Sequence, residues 1–193
     1  MKKFFLFFLL PGAVLVFILI LVFSSKTRIK TVKLMAAIYP GLKGIRNNNP
    51  GNLRATDGFT WDGQTGTDEK GFCVFNNPDL TDEQNIKKGI RAMEINALRK
   101  QEKGINNLWD FGLSWAPPGD NGGATDYGQR LANQLGVGVD DNFDLFNSDP
   151  FSLGDLSKAI TKNENSINPY PASYFLDDQT LALAYVTARP SVS

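Results

Sequence analysis

The stretch Gly44–Arg54, GIRNNNPGNLR, holds four Asn, two Gly, one Pro and two Arg in eleven residues, with Ile45 and Leu53 its only apolar members. Asn and Gly tolerate left-handed backbone angles and Pro fixes its own φ, so the run predicts a sharply shaped loop rather than a helix or strand. Its side chains, including Arg46, Asn48, Asn49 and Asn52, offer donors and acceptors suited to amide-bearing, polyhydroxylated ligands such as amino sugars. The same composition also suits an ordinary surface turn.

Outward from this loop the pattern changes character twice. Up to residue 80 it is broken by Asp57-Gly58, Asp62-Gly63, Lys70-Gly71 and Asn77-Pro78, with room for short strands at Phe72–Phe75 and around Phe59 and Trp61. From Thr81 it turns helical. Thr81 can cap a run to about Lys103 that places Ile86, Ile90, Met93, Ala97 and Leu98 on one face. A short helix is expected over Asn107–Leu113, and another from a Thr125 cap to about Leu135. The next would start at Ser148 or Asp149 with Pro150 in its first turn, and a last one would run from Asp178 to about Ala188. Five helices beside a small turn-rich lobe predict a mainly α (α+β) domain.

Residues 4–23 are uncharged and apolar apart from Pro11 and Gly12, long enough to span about 30 Å of hydrocarbon. Basic residues flank them on both sides, and the core, longer than that of a cleavable signal peptide (the alternative), runs directly into Ser24, Ser25 and a basic patch. We expect residues 1–35 to be an uncleaved single-pass membrane anchor with a basic flank, and residues 36–193 to be one globular domain. Residues 1–35 hold six of the 20 basic residues and no acid, so the remainder carries 14 − 20 = −6. That acidity argues against a nucleic-acid partner.

The chain has no His and a single Cys, Cys73. Ser-His-Asp and Cys-His catalysis are therefore excluded, as are zinc sites that use His. No metal or cofactor is expected. Asp140, Asp141 and Asp144 lack the spacing of a calcium loop and read as a solvated acidic turn.

Among carboxylates, Glu164 stands out. Leu153, Leu156 and Ile160 make a buried stripe, and position 164 continues it to the helix end. Partial desolvation and the negative end of the helix dipole both favour the neutral acid there, which is what a general acid requires. An exposed Glu in a last helical turn is the plainer alternative. Asp68 is the candidate second carboxylate, to position water or stabilise a developing oxocarbenium ion; as a turn residue it could equally bond the backbone. Trp61, Trp115, Tyr127 and Tyr170 are placed where rings can stack on a pyranose and phenols can bond hydroxyls, although single aromatics more often pack.

Taken in order, GIRNNNPGNLR, Trp61-Asp62-Gly63-Gln64, Asp68, Gly71–Phe75, Gly89-Ile90-Arg91-Ala92, Trp115–Pro118, Asn163-Glu164-Asn165 and Pro169-Tyr170 resemble a phage and prophage family. Its members are known as virion structural proteins or lytic enzymes, and the resemblance covers about residues 43–188. It implies a lysozyme-like helical fold in which one Glu at a helix end is the general acid. It also implies a membrane-anchored, virion-associated enzyme that cuts the glycan strand of peptidoglycan, as a lytic transglycosylase or glycosidase. Partners would be peptidoglycan, a virion or host inner membrane reached through residues 4–23, and other virion proteins. The Asn48–Leu53 segment is similar to the loop that lines the cleft of bacterial glucosaminidases, though there the acidic helix precedes the loop. Family members commonly show His-Glu-Asn-Gly around the acid; this chain has Asn163 and Ser166 at the outer positions. A non-enzymatic virion or wall-binding protein, and a peptidoglycan endopeptidase, are the alternatives.

Overall fold

A computed structural model describes residues 41–116 and 124–187. The expected membrane anchor at residues 4–23 lies outside the described residues. Among those described, no helix is long and apolar enough to cross a membrane. Among the described residues, six helices carry the architecture: α1 (Lys43–Arg46), α2 (Asp82–Glu102), α3 (Leu108–Trp115), α4 (Ala124–Leu135), α5 (Leu153–Asn165) and α6 (Ala172–Thr187). The two short strands β1 (Gly66–Thr67) and β2 (Cys73–Val74) pair antiparallel, Gly66 opposite Val74 and Thr67 opposite Cys73. The domain is mainly helical with a small turn-rich lobe, as the pattern of turns and stripes predicts.

The 21-residue α2 is the central helix. Buried positions at 85–86, 89–90, 92–95 and 97–98 cover most of its circumference, so neighbours enclose it rather than cover one face. Its start is a capping box: Thr81 Oγ1 accepts from Gln84 N, and Gln84 Oε1 accepts from Thr81 N. α6 and α5 pack against α2, α3 against α4, and α4 and α6 against α5. Phe75, Ile86, Ile90, Met93, Leu98, Phe111, Leu131, Leu153, Leu156, Ile160 and Phe175 form one continuous core.

Several boundaries differ from the sequence expectation: Gly44, Ile45 and Arg46, expected in a loop, belong to the short helix α1, and Thr125, expected as a cap, lies within α4. α5 starts at Leu153 and is capped by Ser152, which bonds Asp155 N while Asp155 reaches back to Ser152 N. Ser148 has a left-handed φ of 58° and Pro150 precedes the cap, so neither belongs to the helix. The true box, Ser-x-x-Asp, lies four residues beyond the Ser148 start. α6 begins at Ala172, after Pro169 and Pro171, and Asp178 sits within it. That Asp is buried against Arg91 of α2 at 2.7 Å, a tertiary ion pair rather than a cap. Phe59 and Trp61 do not form a strand; their rings meet edge to face at 4.7 Å, and β2 pairs with Gly66–Thr67 instead.

The asparagine loop is the junction of the two lobes. Asn47 O accepts from Phe75 N and Leu53 O from Cys73 N, which fastens the loop to the β2 segment. Asn165 Nδ2, at the end of α5, donates to Pro50 O at 2.9 Å. Against α2 the approach is closer still. A Cβ at Gly89 would lie 1.7 Å from Asn48 O, so only Gly lets the loop seat there. Asn48 and Asn52 take φ values of 49° and 48°, the left-handed region that Asn tolerates better than most residues.

Candidate active site

Seating the loop on α2 and α5 opens a cleft of about 420 Å³ with Glu164 in its wall. Each carboxyl oxygen of Glu164 receives one donor. Asn52 Nδ2 lies 2.8 Å from Oε2 and Tyr127 Oη lies 2.8 Å from Oε1. Three elements thus meet on one side chain: the loop brings Asn52, α4 brings Tyr127, and the last turn of α5 brings Glu164. Asn52 reaches inward because its left-handed backbone turns its side chain from the loop toward α5.

Burial raises the pKa of Glu164 above the ordinary glutamate range. The bonds from Asn52 and Tyr127, the Lys43 charge and a contact with Trp115 hold it down in part, and burial prevails. Tyr127 is itself buried, and that burial together with Glu164 pushes its phenol far up, so it stays a neutral donor. The result is a carboxyl that keeps its proton to higher pH than a solvated Glu while both oxygens are fixed in direction. That is the state from which a proton can be handed to a ligand oxygen.

Aromatic rings complete the walls. Trp61 lines the cleft, braced by Phe59 and by Arg99, whose guanidinium carbon lies 5.4 Å from the indole. Trp115 lines it at the end of α3 and stacks on Phe111 at 5.3 Å between centroids. Rings fixed this way are suited to stacking on a saccharide.

Five of the residues singled out from sequence therefore converge on the cleft: Glu164, Asn52, Trp61, Trp115 and Tyr127. Five lie elsewhere. Asn49 is fully buried, donating to Leu53 O and Cys73 O and accepting from Leu53 N, so its amide is committed to the loop backbone. Asn48 donates to Phe75 O and Asn76 Oδ1. Tyr170 is buried, its ring 6.4 Å from Phe175. Arg46 lies 3.6 Å from Asp68 Oδ2, outside the lining.

Asp68 holds a turn and does not line the cleft. Its Oδ1 accepts from Lys70 N and Phe72 N, and its Oδ2 from Asn47 Nδ2 at 2.8 Å. Partial burial pushes its pKa up, but the Phe72, Asn47 and Lys70 bonds and Arg46 outweigh that and leave it lowered. A carboxylate so held is a structural anion. Asp141 and Asp144 likewise bond local backbone, Gly138 N and Phe146 N respectively.

Sequence reasoning missed the polar residues of the opposite rim, Asn96, Lys100 and Arg130, and the near-side Lys43 and Arg54. Arg130 had a signal: it stands one helical turn after Tyr127. Lys43 and Arg54 bracket the asparagine loop itself, whereas nothing distinguishes Lys100 from its basic neighbours Arg99 and Lys103.

Comparison with known proteins adds no family. No protein-family model matches the chain, and no curated protein matches it.

Proposed function

We propose that this protein cleaves the glycan strand of peptidoglycan, with Glu164 as general acid, in a lysozyme-like domain anchored to a virion or host inner membrane. The observation that carries the reading is the Glu164 carboxyl. It is raised in pKa by burial, oriented by Asn52 and Tyr127, and set in an open cleft with two braced indoles. Protonated Glu164 would give its proton to the glycosidic oxygen as the bond from that oxygen to the anomeric carbon breaks.

The cleft favours a particular second half of the reaction. Glycosidases that use water or a covalent intermediate need a second carboxylate within about 5–9.5 Å of the first. Glu164 is the only carboxylate lining the cleft among the described residues, and Asp68 is occupied elsewhere. A transglycosylase needs only one: a hydroxyl of the same sugar closes onto the anomeric carbon, and its proton returns to Glu164. No water is consumed, so the product is an internal anhydro sugar.

Digestion of purified cell walls by the full chain in detergent, with mass analysis of released fragments, tests this. Fragments lighter by one water than the hydrolysis products support the transglycosylase. Hydrated fragments would keep the glycan substrate but replace the nucleophile by water. Peptide fragments would favour the endopeptidase, and wall binding with no release would favour a non-enzymatic wall protein.

A further inference from the structure

Lys100 and Ser114 are a second pair of reactive groups in the cleft, apart from the Glu164 carboxyl and its donors. α2 brings the lysine and the last turn of α3 brings the serine. Lys100 Nζ donates to Ser114 O at 2.9 Å and to Ser114 Oγ. A lysine that bonds a carbonyl in the last turn of a helix caps its C-terminus, and the first contact fits that role. A cap needs only the carbonyl. The second contact puts an amine against a hydroxyl in the wall of an open cleft.

The surroundings favour the amine over the ammonium. Burial pushes the Lys100 pKa down, and the charge of Lys103 on the same helix adds to that. The Trp115 ring lies 5.7 Å from Nζ. Among the described residues no acid forms an ion pair with Lys100; Arg130 of α4 and Glu164 of α5 are charged groups that line the same cleft. A neutral amine has two N–H donors and one lone pair. One N–H holds Ser114 O, and the lone pair is then free to accept the Ser114 hydroxyl proton. A nucleophile in contact with its base is the mark of an activated serine, and lysine fills that role without histidine. Asn96 precedes Lys100 by one turn of α2 and also lines the cleft, its side-chain amide unbonded among the described residues. That spacing sets its Nδ2 beside the pair as a donor for a developing oxyanion.

We infer that Ser114 and Lys100 are a nucleophile and its base, a second catalytic centre that hydrolyses esters, with Asn96 as the oxyanion donor. It uses none of the Glu164 machinery and does not rest on the glycan-cleaving reading. Ser114 Oγ bonds to the ester carbonyl carbon as its proton passes to Lys100 Nζ, and the carbonyl electron pair moves onto the oxygen that Asn96 receives. The bond from that carbon to the alcohol oxygen breaks, Nζ returns the proton to the leaving alkoxide, and the acyl group stays on Ser114. Water then attacks the acyl-serine and gives a proton to Nζ. Nζ passes it back to Oγ as the carboxylic acid departs. A single side-chain donor suits esters rather than amides, because a missing oxyanion donor costs about 10²–10³ in rate and an alkoxide leaves more readily than an amine.

The test treats the full chain in detergent with a fluorophosphonate, which reacts with activated serine hydroxyls, and with an aryl acetate as ester substrate. Mass analysis of peptides should place the phosphonyl adduct on Ser114, and aryl acetate should release phenolate with an acetyl group passing through Ser114. Labelling should quicken as pH rises and the amine loses its proton, with a midpoint below the ordinary lysine value of 10.5. Lys100→Arg keeps a charged donor for Ser114 O but stays protonated at working pH, so it preserves the cap and removes the base. It should lose at least about 100-fold in labelling rate. The pH series uses the unaltered protein and stands even if a variant misfolds. No adduct on Ser114, a labelling rate that ignores pH, or full labelling of folded Lys100→Arg overturns the pair. An adduct without ester turnover overturns the ester substrate. Neither probe contains a sugar, so these outcomes leave the glycan-cleaving reading to its own assay.

Discussion

Glu94 and Glu164 occupy the same place in two sequence patterns and different places in the molecule. Each lies four residues beyond a buried Ile, Ile90 in α2 and Ile160 in α5, and burial raises the pKa of both. Glu94 is sealed between α2, α5 and α6. It is 0% exposed, and neither oxygen makes a hydrogen bond of ordinary geometry. Burial first and the neighbouring Asp178 second push its pKa far up, against Ser157 and Arg91. Glu164 opens to a cleft and has one donor on each oxygen. The difference teaches that desolvation alone makes a reluctant carboxylate. A usable acid also needs a route to a ligand and donors that fix its direction.

The asparagine loop repeats that contrast between structure and site. Asn49→Ala should lower stability by about 3 kcal/mol, since Leu53 N and Cys73 O lose the Asn49 amide while Leu53 O keeps only its bond from Cys73 N. Wall cleavage per folded molecule should stay unchanged. Asn52→Ala should do the opposite, and a melting curve beside a turnover assay separates the two. Equal losses of cleavage at both positions would dissolve the distinction between the loop's inner and cleft faces.

The sealed carboxyl should reveal itself in the pH dependence of stability. Below the ordinary glutamate value of 4.5, Glu94 is protonated folded and unfolded, and contributes nothing. As pH rises, the unfolded chain ionises while the folded protein holds the proton, so stability falls. Glu94→Gln should therefore be more stable than the wild type at pH 7 by at least about 1 kcal/mol. The gap should close toward pH 4.5 in urea melts; parallel curves would mean that Glu94 is not the reluctant acid described.

At the cleft, Tyr127→Phe removes one donor that favours the Glu164 anion. Cleavage should fall about tenfold through lost orientation. The Glu164 pKa should move further up, shifting the alkaline limb of the pH–rate profile to higher pH. A limb that moves down would contradict the assigned bond.

The smallest effect belongs to the end of α5. Ser166 caps it with φ 60°, a conformation better served by Gly. Ser166→Gly should stabilise by about 0.5–1 kcal/mol, read as a higher Tm, with little change in cleavage.

Helix positions were legible wherever a stripe met a cap, as at Thr81–Gln84, because periodicity and capping are local. The α5 and α6 starts were misjudged because Ser148, Asp149 and Asp178 all look like caps. What distinguishes them is the box at Ser152 and the burial of Asp178 against Arg91, eighty-seven residues away. Glu164 was readable from its stripe, and by the same rule so was Glu94; the stripe does not tell a sealed end from an open one. Nor does composition separate Asn49 from Asn52. Both amides look alike in sequence, and only the fold turns one to the backbone and the other to the acid.

Glu164→Gln and Glu94→Gln, assayed side by side for release of soluble fragments from purified cell walls, test the account at its centre. Glu164→Gln should lose about 10²–10⁴-fold in rate with its fold intact, and Glu94→Gln should retain wild-type cleavage per folded molecule. Full cleavage by folded Glu164→Gln, or its loss in folded Glu94→Gln, would contradict the assignment of the acid.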